Sequence, residues 1–205
     1  VIDHIPPENE FLRELEASAL ERNFPIITRE VGQFLRFLIN LKKPKNILEI
    51  GTAIGYSGIL MLDSYENIEN LITLEIKEDS AKEAEENFKN AGVSHKTEIL
   101  VDNALNSLEK LQDRDMKYDF VFIDAAKGHY HEYFDLIEPM LSENAVVVCD
   151  NVLYKGMVAD DSLIIRRKKT IVKRLREFID YMMQNKNYES SLIPMGDGLL
   201  VIYKK

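Results

Sequence analysis

The sequence predicts an α/β fold built on a mostly parallel sheet that helices cover on both faces. Apolar runs such as ILEI, DFVFI and AVVVC lack the alternation of half-exposed strands, which is typical of parallel strands buried on both faces. Helical stretches alternate with these runs, which indicates βαβ units. Only a short Pro-Met-Gly-Asp-Gly turn separates the last two strands, so these should pair as an antiparallel hairpin.

Residues 1–42 are predicted to form a helical cap on the core at 43–205. Apolar side chains recur at helical spacing in 8–22 and again in 30–41. A length of 205 residues favours one domain spanning 1–205.

From residue 46 onward strands and helices follow each other in order. The predicted strands are 46–50, 70–75, 97–101, 118–123, 145–149, 189–194 and 199–203. The predicted helices are 56–65, 78–91, 103–111, 129–141 and 166–185.

Composition and cysteine use indicate a soluble cytoplasmic protein. Hydrophobic residues make up 45% of the chain and charged residues 30%, and no run is long enough to cross a bilayer. No signal-peptide pattern opens the chain, and no membrane partner is expected. The lone cysteine, Cys149, fits a reducing cytosol, and its apolar neighbours favour a buried structural thiol over a nucleophile.

The stretch from Asn46 to Gly58, NILEIGTAIGYSG, is predicted to run from strand through a tight turn into a helix. Glycines let the backbone approach a ligand, and a helix N-terminus offers unpaired N–H groups to a nucleotide-like molecule. The spacing Gly51-x-x-x-Gly55-x-x-Gly58 departs from the dinucleotide-binding form G-x-G-x-x-G.

Polar residues lie at the ends of four predicted strands, where open α/β sheets bind ligands. They are Glu49 to Gly51, Glu75, Asp124, and Asp150 with Asn151. One such acid is usually a helix cap or turn former, but four on neighbouring strands indicate a site. Glu75 follows Gly51 at close to the spacing of an acid that binds a ribose hydroxyl.

Two further groups near these strand ends carry possible chemistry. Asp124, Asp150 and Asn151 offer the hard oxygen ligands that magnesium prefers. Lys127, three residues after Asp124, is either a general base or an ordinary surface lysine. The histidines 129 and 131, at a predicted helix start, favour solvated or capping roles over metal ligation.

The segments LEIGTAIGYSG, FIDAAKGHYHEYFD, VVVCDNVLYKGMV and the late Gly-Asp-Gly-Leu resemble the metal-dependent class I O-methyltransferases. This family includes catechol and caffeoyl-CoA O-methyltransferases and their bacterial relatives, and the resemblance covers nearly the whole chain. It implies a Rossmann-like class I methyltransferase fold, with a seven-stranded mostly parallel sheet, a C-terminal antiparallel hairpin and N-terminal helices. It also implies S-adenosylmethionine and Mg²⁺ as cofactors.

The resemblance assigns roles residue by residue. The magnesium ligands would be Asp124, Asp150 and Asn151, and the catalytic residues Lys127 and Asp124. The cofactor would be bound by Ile27, Glu49, Gly51, Thr52, Gly55, Ser57, Glu75, Asn103, Ala104 and Asp124. Asn103 departs from the Asp-Ala that relatives often carry at the adenine, and its side-chain carbonyl could still accept from the adenine amino group.

The implied reaction moves a methyl group from a sulfonium to an activated hydroxyl, and its acceptor should carry two vicinal oxygens. Catechols meet this demand, and so does 5-hydroxyuridine. Although the net charge of −9 argues against general nucleic-acid affinity, residues 166–176 hold seven bases and no acid. The bases predicted to contact nucleic acid are Arg166, Arg167, Lys168, Lys169, Lys173 and Arg174, and Tyr130 or Tyr154 could stack on a splayed base.

This combination also resembles the bacterial tRNA 5-hydroxyuridine methyltransferases, which make wobble 5-methoxyuridine, so a tRNA anticodon arm is the first expected partner. A small catechol-like acceptor or another polyphenol or nucleoside is the alternative. The bases could instead cover a solvated amphipathic helix with the apolar stripe Ile171, Leu175, Phe178 and Met182. A non-catalytic cofactor-binding module is the remaining class, which the complete set of site residues argues against.

Because relatives are often dimers, we expect a homodimer.

Overall fold

The two N-terminal helices form within two residues of the predicted bounds 8–22 and 30–41. The structure of the protein, a computed structural model, describes residue 5 and residues 8–205. Helix α1 spans Glu10–Glu21, and the side chain of Asn9 accepts from the backbone N–H of Leu12 at 2.9 Å, which caps its first turn. Helix α2 spans Arg29–Lys42 and ends at Lys43 in the left-handed conformation. Residues 1–4, 6 and 7 of the predicted cap lie outside the described residues.

Residues 1–103 and 104–205 form two compact units, so the assignment of a single domain stays a prediction. In the first unit, β1 (Asn46–Ile50), β2 (Asn70–Glu75) and β3 (Thr97–Val101) are parallel in the order β3-β2-β1. Helices α3 (Tyr56–Ser64) and α4 (Glu78–Asn90) connect them. The strands β1 and β2 are buried along nearly their whole length, as unbroken apolar runs predict.

The second unit combines parallel and antiparallel pairing. Its helices are α5 (Ala104–Gln112), α6 (Tyr130–Ile137) and α7 (Lys169–Gln184). Its strands are β4 (Tyr118–Ile123), β5 (Leu141–Cys149), β6 (Tyr188–Ile193) and β7 (Leu199–Lys204), in the order β4-β5-β7-β6. Strand β4 runs parallel to β5, whereas β7 is antiparallel to both β5 and β6. The predicted C-terminal hairpin is therefore confirmed.

Three predicted boundaries are wrong by three or four residues, namely the end of the helix 129–141, the start of the strand 145–149 and the start of the helix 166–185. The helix predicted at 129–141 ends at Ile137, and Pro139 lies in a short 3₁₀ helix that leads into β5 at Leu141. Proline lacks the N–H that would continue the helix, and Leu141 instead pairs with Tyr118 of β4. The start of the strand was hidden because its exposed polar residues do not follow the apolar pattern of AVVVC. Likewise α7 begins at Lys169, after a 3₁₀ turn over Arg166–Lys168.

Among the described residues, every helix is too short or too polar to pass through a lipid bilayer. Cys149 is fully buried, as predicted, and burial raises the pKa of its thiol far above the ordinary value, so it is not an activated nucleophile.

Candidate functional site

The turn after β1 has a backbone shape that only glycine adopts without strain at two positions. Gly51 has a φ of 107° and Gly55 a φ of 84°. The backbone N–H groups of Gly51 and Thr52 both donate to the carbonyl of Leu74 on β2, at 3.0 and 3.1 Å. These bonds fold the turn back over the end of β2, so the predicted strand, turn and helix start is confirmed.

Glu49 holds this turn from inside the first unit. Its side chain is fully buried, and its two carboxylate oxygens accept from the hydroxyls of Ser57 at 2.5 Å and Thr73 at 2.6 Å. The hydroxyl of Thr52 lies 2.6 Å from that of Thr73. A buried carboxylate bonded in this way fixes the positions of Thr52 and Ser57, and its direct contact with a ligand stays a prediction.

Glu75 is oriented by three backbone donors. Oε2 accepts from Ala53 N at 2.9 Å, and Oε1 accepts from Ile76 N at 3.0 Å and Lys77 N at 2.9 Å. Because each carboxylate oxygen has two acceptor positions, Oε2 keeps one for a further donor. A ribose hydroxyl is such a donor, so the geometry suits the predicted role of Glu75.

The remaining cofactor residues of the first unit lie at element ends. Ile27 is buried just before α2 and faces Gly32. Asn103 is exposed and donates its backbone N–H to Asp102 Oδ1 at 2.7 Å, directly ahead of Ala104 at the start of α5. Their contacts with a cofactor stay predictions.

In the second unit the ends of β4 and β5 are tied together by a buried tyrosine. Tyr130 is 1% exposed, and its hydroxyl donates to the carbonyls of Asp150 at 2.8 Å and Ile123 at 3.3 Å. Asp150 N in turn donates to Ile123 O at 2.9 Å. The prediction that Tyr130 could stack on a nucleic-acid base is therefore wrong, because its ring is packed inside the unit.

Asp124 and Lys127 form a direct pair. Lys127 Nζ donates to Asp124 Oδ1 at 2.5 Å, and the ammonium lies 5.6 Å from the ring centroid of Tyr130. Both side chains are partly buried. Lys127 is therefore a partly buried, paired lysine, and its catalytic role stays a prediction.

Asp150 is a buried carboxylate whose charged form is disfavoured. Its Oδ1 accepts from Asn151 N at 2.6 Å and Asn151 Nδ2 at 3.2 Å, and the residue is 3% exposed. Burial, together with the negative charge of Asp124, raises the pKa of Asp150 to about 7. The bond from Asn151 N and the charge of Lys127 oppose that rise in pKa.

These residues fit a divalent cation. Two carboxylates, one of them buried and disfavoured as a charge, form with an amide a hard oxygen donor set that a 2+ charge would stabilise. Among the described residues no group of three or more His, Cys, Asp or Glu side chains is placed to hold a metal, so Asn151 is needed to complete the set. The donor types suit Mg²⁺ better than Zn²⁺.

The basic segment 166–176 is only partly free. Lys168 Nζ lies 5.4 Å above the ring of Tyr154, Arg174 donates to Gly128 O at 3.0 Å, and Lys173 pairs with Glu177 at 3.6 Å. Within the described part of the chain, Arg166, Arg167 and Lys169 are exposed and form no ion pair. These three are the bases most available to a polyanion.

The two histidines stay outside the donor set. His129 is the N-cap residue of α6, and its Nδ1 contacts the carboxylate of Glu132 at the surface. His131 stacks on Tyr181 with ring centroids 4.6 Å apart.

Two residues near the site were not predicted from the sequence. Asp197, in the turn between β6 and β7, accepts from Lys155 N with both carboxylate oxygens. Arg176 donates to the carbonyls of Met157 and Val158. The Gly-Asp-Gly sequence was the only local signal for Asp197, whereas Arg176 was indistinguishable from its basic neighbours.

Comparisons with known proteins agree on one family. The family model described as O-methyltransferase matches residues 3–205. The catechol O-methyltransferase of Niastella koreensis is 33% identical over 165 residues, which are 79% of this chain and 75% of that protein. The caffeoyl-CoA O-methyltransferase of Medicago sativa is 27% identical over 208 residues, covering 96% of this chain and 82% of that protein.

Solved structures agree on the fold. An O-methyltransferase from Bacillus cereus in complex with S-adenosylhomocysteine (SAH) superposes with a TM-score of 0.88 at 26% identity, over 99% of this chain and 94% of that chain. The predicted fold class is confirmed: a Rossmann-like methyltransferase fold with seven strands, mostly parallel with antiparallel C-terminal strands, and N-terminal helices.

Proposed function

The chain belongs to the O-methyltransferase family, and we propose that it transfers the methyl group of S-adenosylmethionine to a hydroxyl oxygen with the help of Mg²⁺. It is an S-adenosylmethionine-dependent O-methyltransferase of the caffeoyl-CoA and catechol type. The requirement for Mg²⁺ and the identity of the acceptor are the parts that we propose.

The observation that carries the proposal is the pairing of Lys127 with Asp124 beside the buried Asp150. Lys127 lies 2.5 Å from Asp124 and near a second carboxylate, Asp150, whose pKa is raised by burial. This arrangement has no evident role in packing. Perturbed, convergent ionisable groups at the ends of parallel strands are typical of an active site.

Each group then has a defined task. Glu75 binds the cofactor ribose through its remaining acceptor position, and the glycine turn after β1 leaves room for the methionine part of the cofactor. Asp124, Asp150 and Asn151 would hold Mg²⁺, which supplies Lewis-acid activation of the acceptor hydroxyl. Lys127 Nζ, kept in place by Asp124, would take the hydroxyl proton as the neutral amine, the form that a bound divalent cation would favour over the ammonium.

The acceptor that we favour is a small molecule with two vicinal oxygens. Such a pair fixes the orientation of the reacting oxygen, which accounts for a large part of the rate in a transfer reaction. The similarity to the Niastella koreensis catechol O-methyltransferase, at 33% identity, supports a catechol-like acceptor.

A second candidate is tRNA bearing 5-hydroxyuridine at the wobble position, which methylation would convert to 5-methoxyuridine. The exposed bases Arg166, Arg167 and Lys169 favour it, because a small neutral catechol gives them no counter-charge. They follow the segment after β5 that begins with Asn151. The half-buried Tyr154, under Lys168, is the remaining aromatic side chain for base stacking.

The test uses labelled S-adenosylmethionine with the purified full chain. One reaction contains a simple catechol and another contains total bacterial tRNA that lacks 5-methoxyuridine, each with Mg²⁺ or with EDTA. We expect label in the catechol, lost with EDTA, and nucleoside analysis decides whether tRNA is also methylated. If the chain binds cofactor and methylates neither acceptor, both proposed acceptors are wrong.

A further inference from the structure

The segment that carries Asn151 has a strained backbone. Residues 151–158, which we call the 151–158 loop, directly follow β5. Asn151, Tyr154, Lys155 and Gly156 have φ values of 55°, 48°, 57° and 76°. Residues other than glycine keep this left-handed conformation only where the surrounding structure imposes it, so something must hold the loop.

The turn between β6 and β7 fixes the first half of the 151–158 loop by hydrogen bonds. The carboxylate of Asp197 accepts from Lys155 N with Oδ1 at 2.6 Å and Oδ2 at 2.9 Å. The carbonyls of Asp197 and Gly198 accept from Leu153 N at 2.9 Å and Val152 N at 3.0 Å. A Cβ on Gly198 would lie 2.3 Å from Leu153, so glycine is required for this approach. The turn therefore contacts the loop along most of its first half.

Helix α7 fixes the end of the 151–158 loop through the side chain of Arg176. Arg176 donates from Nε to Val158 O at 2.9 Å and from Nη2 to Met157 O at 3.2 Å. The loop is thus fixed by a carboxylate on the N–H of Lys155 and by a guanidinium on the carbonyls of Met157 and Val158, both through charge-assisted hydrogen bonds.

Because the loop contains a tight turn, the hydrogen bonds that fix Lys155 also constrain the backbone of Asn151. Tyr154 N donates to Asn151 O at 3.1 Å, so a tight turn connects the residue beside Lys155 to the candidate metal ligand. Releasing Lys155 would free the left-handed residues at the end of that turn, and Asn151 would lose its fixed direction.

We propose that Asp197 is a positioning residue, whose carboxylate fixes the left-handed backbone of the 151–158 loop and thereby presets Asn151 for Mg²⁺. The inference rests on the proposed function, because it presumes the donor set Asp124, Asp150 and Asn151. Asp197 contacts neither the acceptor nor the cofactor in this role and acts through the backbone of Lys155.

The test measures Mn²⁺ binding to the full chain by calorimetry, without cofactor or acceptor. Asp197→Ala should weaken binding about tenfold, the lower end of what removing a supporting residue costs a metal site. The double variant Asp197→Ala with Lys155→Gly should recover most of that loss, because glycine adopts the left-handed conformation without a partner. Lys155→Gly alone should bind within twofold of the wild type.

A matched control exists close by. The exposed Asp160 also accepts from a backbone N–H, that of Ser162 at 2.8 Å, but outside the 151–158 loop. Asp160→Ala should leave Mn²⁺ affinity unchanged. Asp197→Asn, which keeps one acceptor oxygen without the charge, replaces Asp197→Ala if the thermal midpoint shows that the alanine variant does not fold.

Hydrogen exchange of residues 151–158 gives a readout that is independent of any metal. Asp197→Ala should speed exchange at Lys155 and its neighbours, and unchanged exchange would overturn the inference. Wild-type affinity in Asp197→Ala, or a loss that Lys155→Gly does not repair, would also overturn it. If the wild type itself binds no divalent ion, the proposed metal site fails, and exchange alone then decides the role of Asp197.

Discussion

At the scale of the residue, the pair Asp124 and Lys127 is where the proposed chemistry is concentrated. Lys127→Met removes the amine while keeping most of the side-chain volume. We expect kcat to fall by roughly 10²–10⁴, the range for loss of a general base, with cofactor affinity nearly unchanged. Methyl transfer to a catechol and calorimetric cofactor binding measure the two quantities.

The control for that variant is Lys186→Met, an exposed lysine after α7. It should leave both quantities unchanged. Equal loss in the two variants, or a loss of cofactor affinity that matches the loss of rate, would remove Lys127 from the catalytic role.

Asp150 makes the stability of the metal-free protein depend on pH. Burial raises its pKa to about 7 from 3.8, so the folded protein holds a proton that the unfolded chain releases. This contribution to stability is complete below about pH 4 and is lost as the pH rises through 7. Asp150→Asn has no such loss, so its stability relative to the wild type should rise by about 2 kcal/mol between pH 5 and pH 8.

Urea unfolding in EDTA at the two pH values measures this difference. The exposed Asp180→Asn serves as control and should show no such change with pH. A difference between wild type and Asp150→Asn that is the same at pH 5 and pH 8 would mean that Asp150 is not protonated in the folded protein. Because protonation of Asp150 competes with a cation, Mg²⁺ affinity should also weaken below pH 7.

At the scale of the element, the segment ahead of and within α7 separates the two acceptors. Neutralising Arg166, Arg167 and Lys169 together removes the exposed bases without touching the buried face of the helix or the contact of Lys168 with Tyr154. If tRNA is an acceptor, its methylation should fall at least tenfold and lose much of its salt dependence, while transfer to a catechol stays within twofold. Initial rates at 50 and 200 mM salt measure both effects.

Arg176 is deliberately left out of that variant, because it binds backbone carbonyls and its loss would disturb the 151–158 loop. Undiminished methylation of tRNA with an unchanged salt dependence would show that the segment is not a nucleic-acid surface. The apolar face of α7, with Leu175 and Phe178 buried, then accounts for its sequence as an ordinary amphipathic helix.

At the scale of the whole molecule, we expect a homodimer. The N-terminal helices expose large apolar side chains, with Leu20 62%, Phe37 58% and Leu41 71% exposed. Light scattering should give twice the chain mass of 23.7 kDa. If these helices form the interface, Phe37→Glu with Leu41→Glu should give a monomer, because burying two charges in an apolar contact is unfavourable.

Two exposed apolar residues outside the N-terminal helices provide a control for the double variant. Met183→Glu with Leu192→Glu, also at exposed apolar positions, should leave the dimer intact. A monomeric wild type at micromolar concentration would contradict the expectation, and a dimer that persists in the first variant would move the interface away from α2.

Much of the site was predictable because its signals are local. Gly51 and Gly55 are required by the φ values of one turn, and Glu75 binds the backbone of that turn and of its own next residues. Asp124 and Lys127 pair across three residues. Such features depend on the nearby chain, so the succession of strands and helices, the glycine turn and the acids at the strand ends can be read from local patterns in the sequence.

Features that depend on contacts between distant residues could be established only from the folded structure. Only burial shows that Tyr130 faces inward and that the pKa of Asp150 rises to about 7. Only the packed hairpin brings the carboxylate of Asp197 to Lys155, 42 positions away, and only α7 turns Arg176 inward while its basic neighbours stay in solvent. The physical reason is that desolvation and hydrogen-bond partners are properties of the folded environment, and no local sequence pattern encodes them.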